Sequence, residues 1–216
     1  MKYKLVIFDL DGTLVDSSIG ILKAIEYTIV ENKLPKLDDE IKASFIGPLV
    51  FDSFKRVYGY DDDLTNNITQ YYRNVYKKYF LNDCKIYDGI IELLQYLKEQ
   101  NCYISIATYK KDDHAKKLIS DLNINSYFDY ILGSDLESKM TKQDIIKANI
   151  ALFNLTQRDC IMIGDSIHDA KGAMECGIDF IGVTYGFGFK DEKDLQSYPN
   201  KLCAKNPYKI IDFLKQ

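Results

Sequence analysis

Five short apolar runs, at residues 5–8, 103–107, 130–132, 160–163 and 180–183, constrain the fold of this chain more than any other feature. Each run is continuous rather than alternating, so the strand it forms must be covered on both faces, as in a parallel sheet. Helical patterns separate most of them. Asp88-Gly89 opens one whose Ile90, Leu93, Leu94 and Leu97 share a face, and another runs from Asp112 with Ala115, Leu118, Ile119 and Leu122. A third follows Thr141 and aligns Ile145, Ile146 and Ile150. A fourth begins near Asp169, carries Ala170, Ala173 and Met174, and stops at Gly177, a left-handed C-cap. The last opens at Asn206-Pro207, N-cap then proline at the first helical position, and buries Ile210, Ile211 and Leu214. Alternating strand and helix predicts an α/β fold, a doubly wound parallel sheet with a Rossmann-like core.

One segment breaks the alternation. Between Asp16 and Leu81 only helical patterns appear, the first with Ile19, Leu22, Ile25 and Ile29 on one face, the last holding Ile68, Tyr71, Tyr72, Val75, Tyr76 and Tyr79. Gly47-Pro48 marks a turn between them. The expectation is a core domain at residues 1–15 and 82–216 that carries an all-helical insertion at 16–81.

Composition excludes several classes. A chain of 216 residues with 46% hydrophobic and 28% charged residues, 4 Pro and 12 Gly, is neither disordered nor fibrous. A net charge of −4 gives no footprint for a nucleic acid polymer. Any phosphate chemistry must therefore draw on isolated lysines. The five cysteines (Cys84, Cys102, Cys160, Cys176 and Cys203) are scattered and odd in number, which argues against disulfides and a zinc site. The N-terminus turns acidic at Asp9 after four apolar residues, and no apolar run reaches the roughly eighteen residues of a membrane span. A cytoplasmic protein without membrane attachment is expected.

In an open parallel sheet, ligands bind outside the carboxyl ends of the strands. The first strand ends at Asp9-Leu10-Asp11-Gly12-Thr13, the second at Thr108-Tyr109-Lys110, the fourth at Gly164-Asp165-Ser166-Ile167-His168-Asp169. One sheet edge thus collects four carboxylates, a threonine hydroxyl and a lysine. A single polar strand tip is unremarkable; three with the same chemical logic mean more.

On these residues the chain resembles the haloacid dehalogenase superfamily, in its phosphatase branch with a helical cap inserted after the first motif. The first motif, D-x-D-G-T, stands as Asp9, Asp11, Gly12 and Thr13, and the second is Thr108. The third, a lysine opening a helix, falls on Lys142, with Lys139 as the competing choice. The fourth, G-D-x-x-x-D, is Gly164, Asp165 and Asp169. Phe45-Ile46-Gly47-Pro48-Leu49 and Val183-Thr184-Tyr185-Gly186-Phe187-Gly188 are similar to the phosphoglycolate phosphatase and 5′-nucleotidase-like subgroups.

The resemblance implies a division of roles. Asp9 attacks phosphorus and forms an aspartyl-phosphate. Asp9, Asp165 and the backbone carbonyl of Asp11 hold Mg²⁺. The Asp11 side chain protonates the leaving alkoxide and then activates water. Thr108, with Tyr109 beside it, and Lys142 bind the phosphoryl oxygens. Asp169 orients metal-bound water or Lys142. The implied substrate is a small phosphorylated metabolite, chosen by the cap; the chain is left as a monomer or a homodimer.

Other readings compete. An Asp-x-Asp-Gly can belong to a calcium loop, but a strand precedes this one, where an EF-hand needs a helix. His168 reads as a solvent-facing neighbour, because a hard cation prefers oxygen. The glycines Gly182, Gly186 and Gly188 read as loop flexibility. The cap tyrosines read as helix packing before nucleobase stacking. Asp11 argues against carbon–halogen cleavage, since a halide leaves without a proton. A phosphosugar mutase using the same intermediate, and a non-catalytic regulatory relative, remain as alternatives.

Overall fold

The structure, a computed structural model, describes residues 1–135 and 140–216. Its elements in chain order begin with β1 (Leu5–Phe8) and β2 (Val15–Asp16). Four helices follow, α1 (Ser18–Glu31), α2 (Asp39–Ala43), α3 (Val50–Tyr58) and α4 (Asp62–Val75), then a π-helical turn at Tyr76–Phe80. Next come β3 (Lys85–Ile86), α5 (Ile90–Glu99), β4 (Tyr103–Lys111), α6 (Asp112–Asp121) and β5 (Tyr130–Ser134). The chain continues with α7 (Lys142–Leu152), β6 (Cys160–Gly164), α8 (Ile167–Cys176), β7 (Asp179–Val183), α9 (Glu192–Leu195), β8 (Leu202–Ala204) and α10 (Pro207–Leu214). Contacts divide it into two units, Met1–Asp16 with Ile86–Gln216, and Ser17–Lys85. The division lies at the two-residue strands β2 and β3, which pair with each other and are too short to leave an apolar run in the sequence.

In the first unit six strands form one sheet in the order β5-β4-β1-β6-β7-β8, and neighbouring strands pair in parallel. The chain builds outward from β1 through β4 to β5 and then from β6 through β7 to β8. Strand order therefore reverses on either side of β1, which opens a crevice at its carboxyl end. Leu5 and Ile7 of β1, Cys160 and Met162 of β6 and Phe180 of β7 share one face with Ile145 and Ile146 of α7 and Ala170 and Ala173 of α8. The alternate residues Val6, Phe8, Ile161, Ile163 and Ile181 are buried too, and on that face α5 packs against α10.

The expected strands need three corrections. β8 escapes the sequence reading because Leu202-Cys203-Ala204 is a three-residue edge strand with too short an apolar run. β4 runs past Ala107 to Lys111, with a register shift between these residues against β5. β5 likewise continues past Leu132 to Ser134. The fourth helical pattern starts earlier than Asp169. Ser166 is the N-cap of α8 and Asp169 its third residue, joined in a capping box.

The helical unit is built around aromatic packing. Phe54 meets Phe45 at 5.0 Å and Tyr72 at 6.2 Å, and Tyr72 stacks on Tyr76 at 5.9 Å. Tyr72 and Tyr76 are buried, whereas Tyr79 is exposed. The buried face of α1 is Gly20, Ala24, Ile25, Thr28 and Ile29, so the expected face holds at Ile25 and Ile29 but not at Ile19, which is exposed. Ile19 lies outside it because Gly20 comes so close to the chain that an added Cβ would sit 2.4 Å from the Phe80 carbonyl oxygen.

Candidate active site

Register fixes the level of the strand tips. Phe8 lies beside Ile106 of β4 and Ile163 of β6, so Asp9, Thr108 and Asp165 follow at one edge of the sheet. The Asp9 N–H continues the ladder by donating to the Ile163 carbonyl at 2.9 Å. The chain then turns sharply. Gly12 adopts a φ of 84°, its N–H donates to the Val15 carbonyl, and the Leu14 N–H returns to Leu10. A side chain at Gly12 would also strike Asp165, whose Oδ2 lies 2.3 Å from an ideal Cβ.

Lys142 ties three segments together. Its Nζ donates to Asp9 Oδ1 at 2.6 Å and pairs with Asp169 Oδ1 at 2.7 Å, and all three side chains are buried. The capping box of Thr141 and Asp144 starts α7 at Lys142, which puts the ammonium at the edge. Tyr109 holds that start from outside. Its hydroxyl accepts the Lys142 N–H at 3.0 Å, and its ring lies 5.5 Å from Nζ and 5.4 Å from the His168 ring. Lys139 lies outside the described residues.

Asp169 has both oxygens engaged. Oδ1 faces Lys142, while Oδ2 accepts the Ser166 N–H at 3.0 Å and its hydroxyl at 2.6 Å. Gly164 leaves the room for this, since a Cβ there would meet the Asp169 carboxyl carbon at 2.4 Å. Asp165 is held differently. The N–H groups of Phe187 and Gly188 donate to its Oδ2 at 2.7 and 3.0 Å, and the Phe189 N–H donates to its carbonyl at 2.8 Å.

The glycines after β7 therefore serve close approach rather than looseness. A Cβ on Gly186 would lie 2.2 Å from the Gly12 carbonyl, and one on Gly188 2.4 Å from the Asp165 carbonyl. Neither glycine has a positive φ, so space and not backbone conformation demands them.

Thr108 is buried, and its Oγ1 accepts the Lys110 N–H at 3.1 Å. The Lys110 Nζ pairs with Asp11 Oδ2 at 2.9 Å. Lys110 was visible at the strand tip but carried no role in the sequence. Ser166 and the N–H groups of Phe187 and Gly188 were not singled out either. A Ser-x-x-Asp pattern was there to be read for Ser166; backbone donors leave no mark on residue identity.

Asp9, Asp165 and Asp169 each offer an oxygen within 4.8 Å of the others. Three carboxylates face one ammonium there, an excess of two negative charges when all are ionised. Burial pushes Asp9 up to about 8, with Asp169 and Asp165 adding to the rise and Lys142 opposing it. Burial and Asp169 raise Asp165 to about 6, against the two backbone donors. Burial alone would discharge Lys142, but Asp169 and Asp9 outweigh it and hold its pKa above the ordinary lysine range. A buried, oxygen-only site with excess negative charge fits a hard divalent cation.

A 5′-nucleotidase from Pseudomonas aeruginosa is 32% identical over 205 residues, which cover 94% of this chain and 92% of that protein. A phosphatase predicted in Clostridium acetobutylicum has a solved structure that superposes with a TM-score of 0.90 at 33% identity, with both chains covered completely. A haloacid dehalogenase-like family hydrolase from Streptococcus pneumoniae gives 0.89 at 33% identity, with 99% of each chain covered. Residues 6–183 match the haloacid dehalogenase-like hydrolase family, and the chain belongs to that family, in its phosphatase branch.

Proposed function

We propose that the protein is a Mg²⁺-dependent phosphomonoesterase that acts on a small phosphorylated metabolite through an aspartyl-phosphate at Asp9. The observation that carries this reading is the Lys142 ammonium held between Asp9 and Asp169, with Asp165 alongside. An anionic nucleophile attacks a phosphate dianion only where positive charge offsets both. Asp9, Asp165 and the Asp11 carbonyl would hold Mg²⁺, which when bound supplies that charge and screens the phosphoryl oxygens. Asp9 then forms the bond to phosphorus while the ester oxygen leaves with a proton from Asp11. Asp11 takes a proton back from the water that opens the aspartyl-phosphate. The Thr108 hydroxyl and the Lys142 ammonium neutralise the transferring group, and Tyr109 keeps Lys142 in place through its backbone N–H. Asp169 orients Lys142.

We assign catalysis to the α/β unit and the choice of leaving group to the helical unit. The relative from Pseudomonas makes nucleoside 5′-monophosphates the first substrates to try, with phosphoglycolate next. We place the protein in the cytoplasm beside the small metabolites it would act on; no helix among the described residues is long and apolar enough to cross a membrane.

The test is phosphate release from nucleoside monophosphates, phosphoglycolate and sugar phosphates, with Mg²⁺ and with EDTA. Expected is release from at least one monoester that chelation stops and Mg²⁺ restores. Asp9→Asn should lose on the order of 10³-fold or more. Substantial turnover by that variant, or indifference to EDTA, would overturn the mechanism. Isomerisation of a sugar phosphate without phosphate release would move the protein to the mutases.

A further inference from the structure

Lys110 has no part in the scheme above, yet the fold goes to some length to place it. Its side chain is only 6% exposed, and its Nζ sits 2.9 Å from Oδ2 of Asp11, which is 22% exposed. Lysine is almost never buried unless paired. The placement depends on the irregular end of β4, where the register against β5 shifts between Ala107 and Lys111. A register shift of this kind re-aims side chains that strict alternation would send to fixed faces. Two further contacts hold this bend. The Lys110 N–H donates to Thr108 Oγ1, and Gly133 of β5 approaches so closely that a Cβ there would lie 2.4 Å from the Lys110 carbonyl. Asp112 Oδ1 accepts the Gly133 N–H at 3.0 Å and fixes the neighbouring strand.

We infer that Lys110 is a positioning residue for proton transfer by Asp11, an inference that rests on the phosphatase reading. As Asp9 bonds to phosphorus and the P–O bond to the leaving group breaks, the proton on Asp11 passes to the departing oxygen. Asp11 is left as a carboxylate. The Lys110 ammonium holds Asp11 by Oδ2, so the direction of Oδ1 is fixed for delivery. It also stabilises the charge that grows on Asp11 as the proton leaves, an interaction stronger in the transition state than before it.

Leaving groups separate this role from a contact with substrate. An alkoxide needs a proton to depart, whereas a nitrophenolate does not. The comparison uses kcat/KM, which reports the step that expels the leaving group whatever limits later turnover. Wild type, Lys110→Met and Lys110→Arg are assayed with Mg²⁺ on p-nitrophenyl phosphate and on a nucleoside 5′-monophosphate or phosphoglycolate, whichever alkyl ester wild type cleaves faster. For Lys110→Met, kcat/KM on the alkyl ester should fall about 30-fold, and on the aryl ester by less than about threefold. Lys110→Arg should recover much of the alkyl activity. Equal losses on both esters, or a rise in KM with kcat unchanged on both, would overturn the assignment and make Lys110 a structural or substrate contact. Turnover of the aryl ester by Lys110→Met shows the variant folded, and a variant inactive on both esters counts as an equal loss. Failure of wild type on every ester would overturn the phosphatase reading itself, a different result from either.

Discussion

Truncating Lys142 to methionine would leave Asp9 and Asp169 buried without the cation that lies 2.6 and 2.7 Å from them. Breaking a buried pair from one side strands the other charge. Lys142→Met should therefore abolish phosphate release and also destabilise the metal-free chain by about 3 kcal/mol, read by urea titration. A variant as stable as wild type would show that Lys142 does not neutralise the cluster. At this scale the acidic residues were legible because their spacing follows strand tips, and the strands themselves are written in apolar runs. Lys110 was not legible in its pairing. Which lysine near a strand end meets Asp11 depends on the register shift at the end of β4, and such a shift leaves no periodicity to read.

Elements place these side chains through backbone fit. The loop after β7 brings the Phe187 and Gly188 N–H groups onto Asp165, and it can do so only because Gly186 lies against the Gly12 carbonyl. Backbone cannot give way as a flexible side chain can. Gly186→Ala should cost about 1–3 kcal/mol of stability. It should also weaken Mg²⁺ about 10- to 100-fold, seen in the metal concentration that half-activates the enzyme. Wild-type Mg²⁺ dependence in this variant would mean the loop does not hold Asp165 in register. The sequence shows the glycines but not what they face, so flexibility was the natural reading. The helix starts were easier. Thr141 with Asp144 and Asn206 with Pro207 are local patterns, satisfied by residues three apart or adjacent.

For the molecule as a whole, the carboxylate cluster links stability to pH. Asp9 at about 8 and Asp165 at about 6 bind protons more tightly in the folded chain than in the unfolded one. That contribution is full below the ordinary carboxylate range and is lost as pH rises through about 6 and then about 8. The metal-free protein should melt at progressively lower temperature across that window. Mg²⁺, which takes the place of the protons, should flatten the trend, and Asp9→Asn should reduce it even without metal. A melting temperature that rises with pH in the metal-free wild type would contradict this account. What the sequence determined by itself was the parallel sheet, the helical insertion and the acidic tips, because hydrophobic periodicity and strand-end motifs are local and repeat along the chain. Tertiary structure alone decided that β1 lies between β4 and β6, that Asp169 and Asp9 share Lys142, and that Lys110 faces Asp11. Those contacts join segments distant in sequence, and their geometry depends on sheet order, register and close backbone packing, which no single stretch of residues encodes.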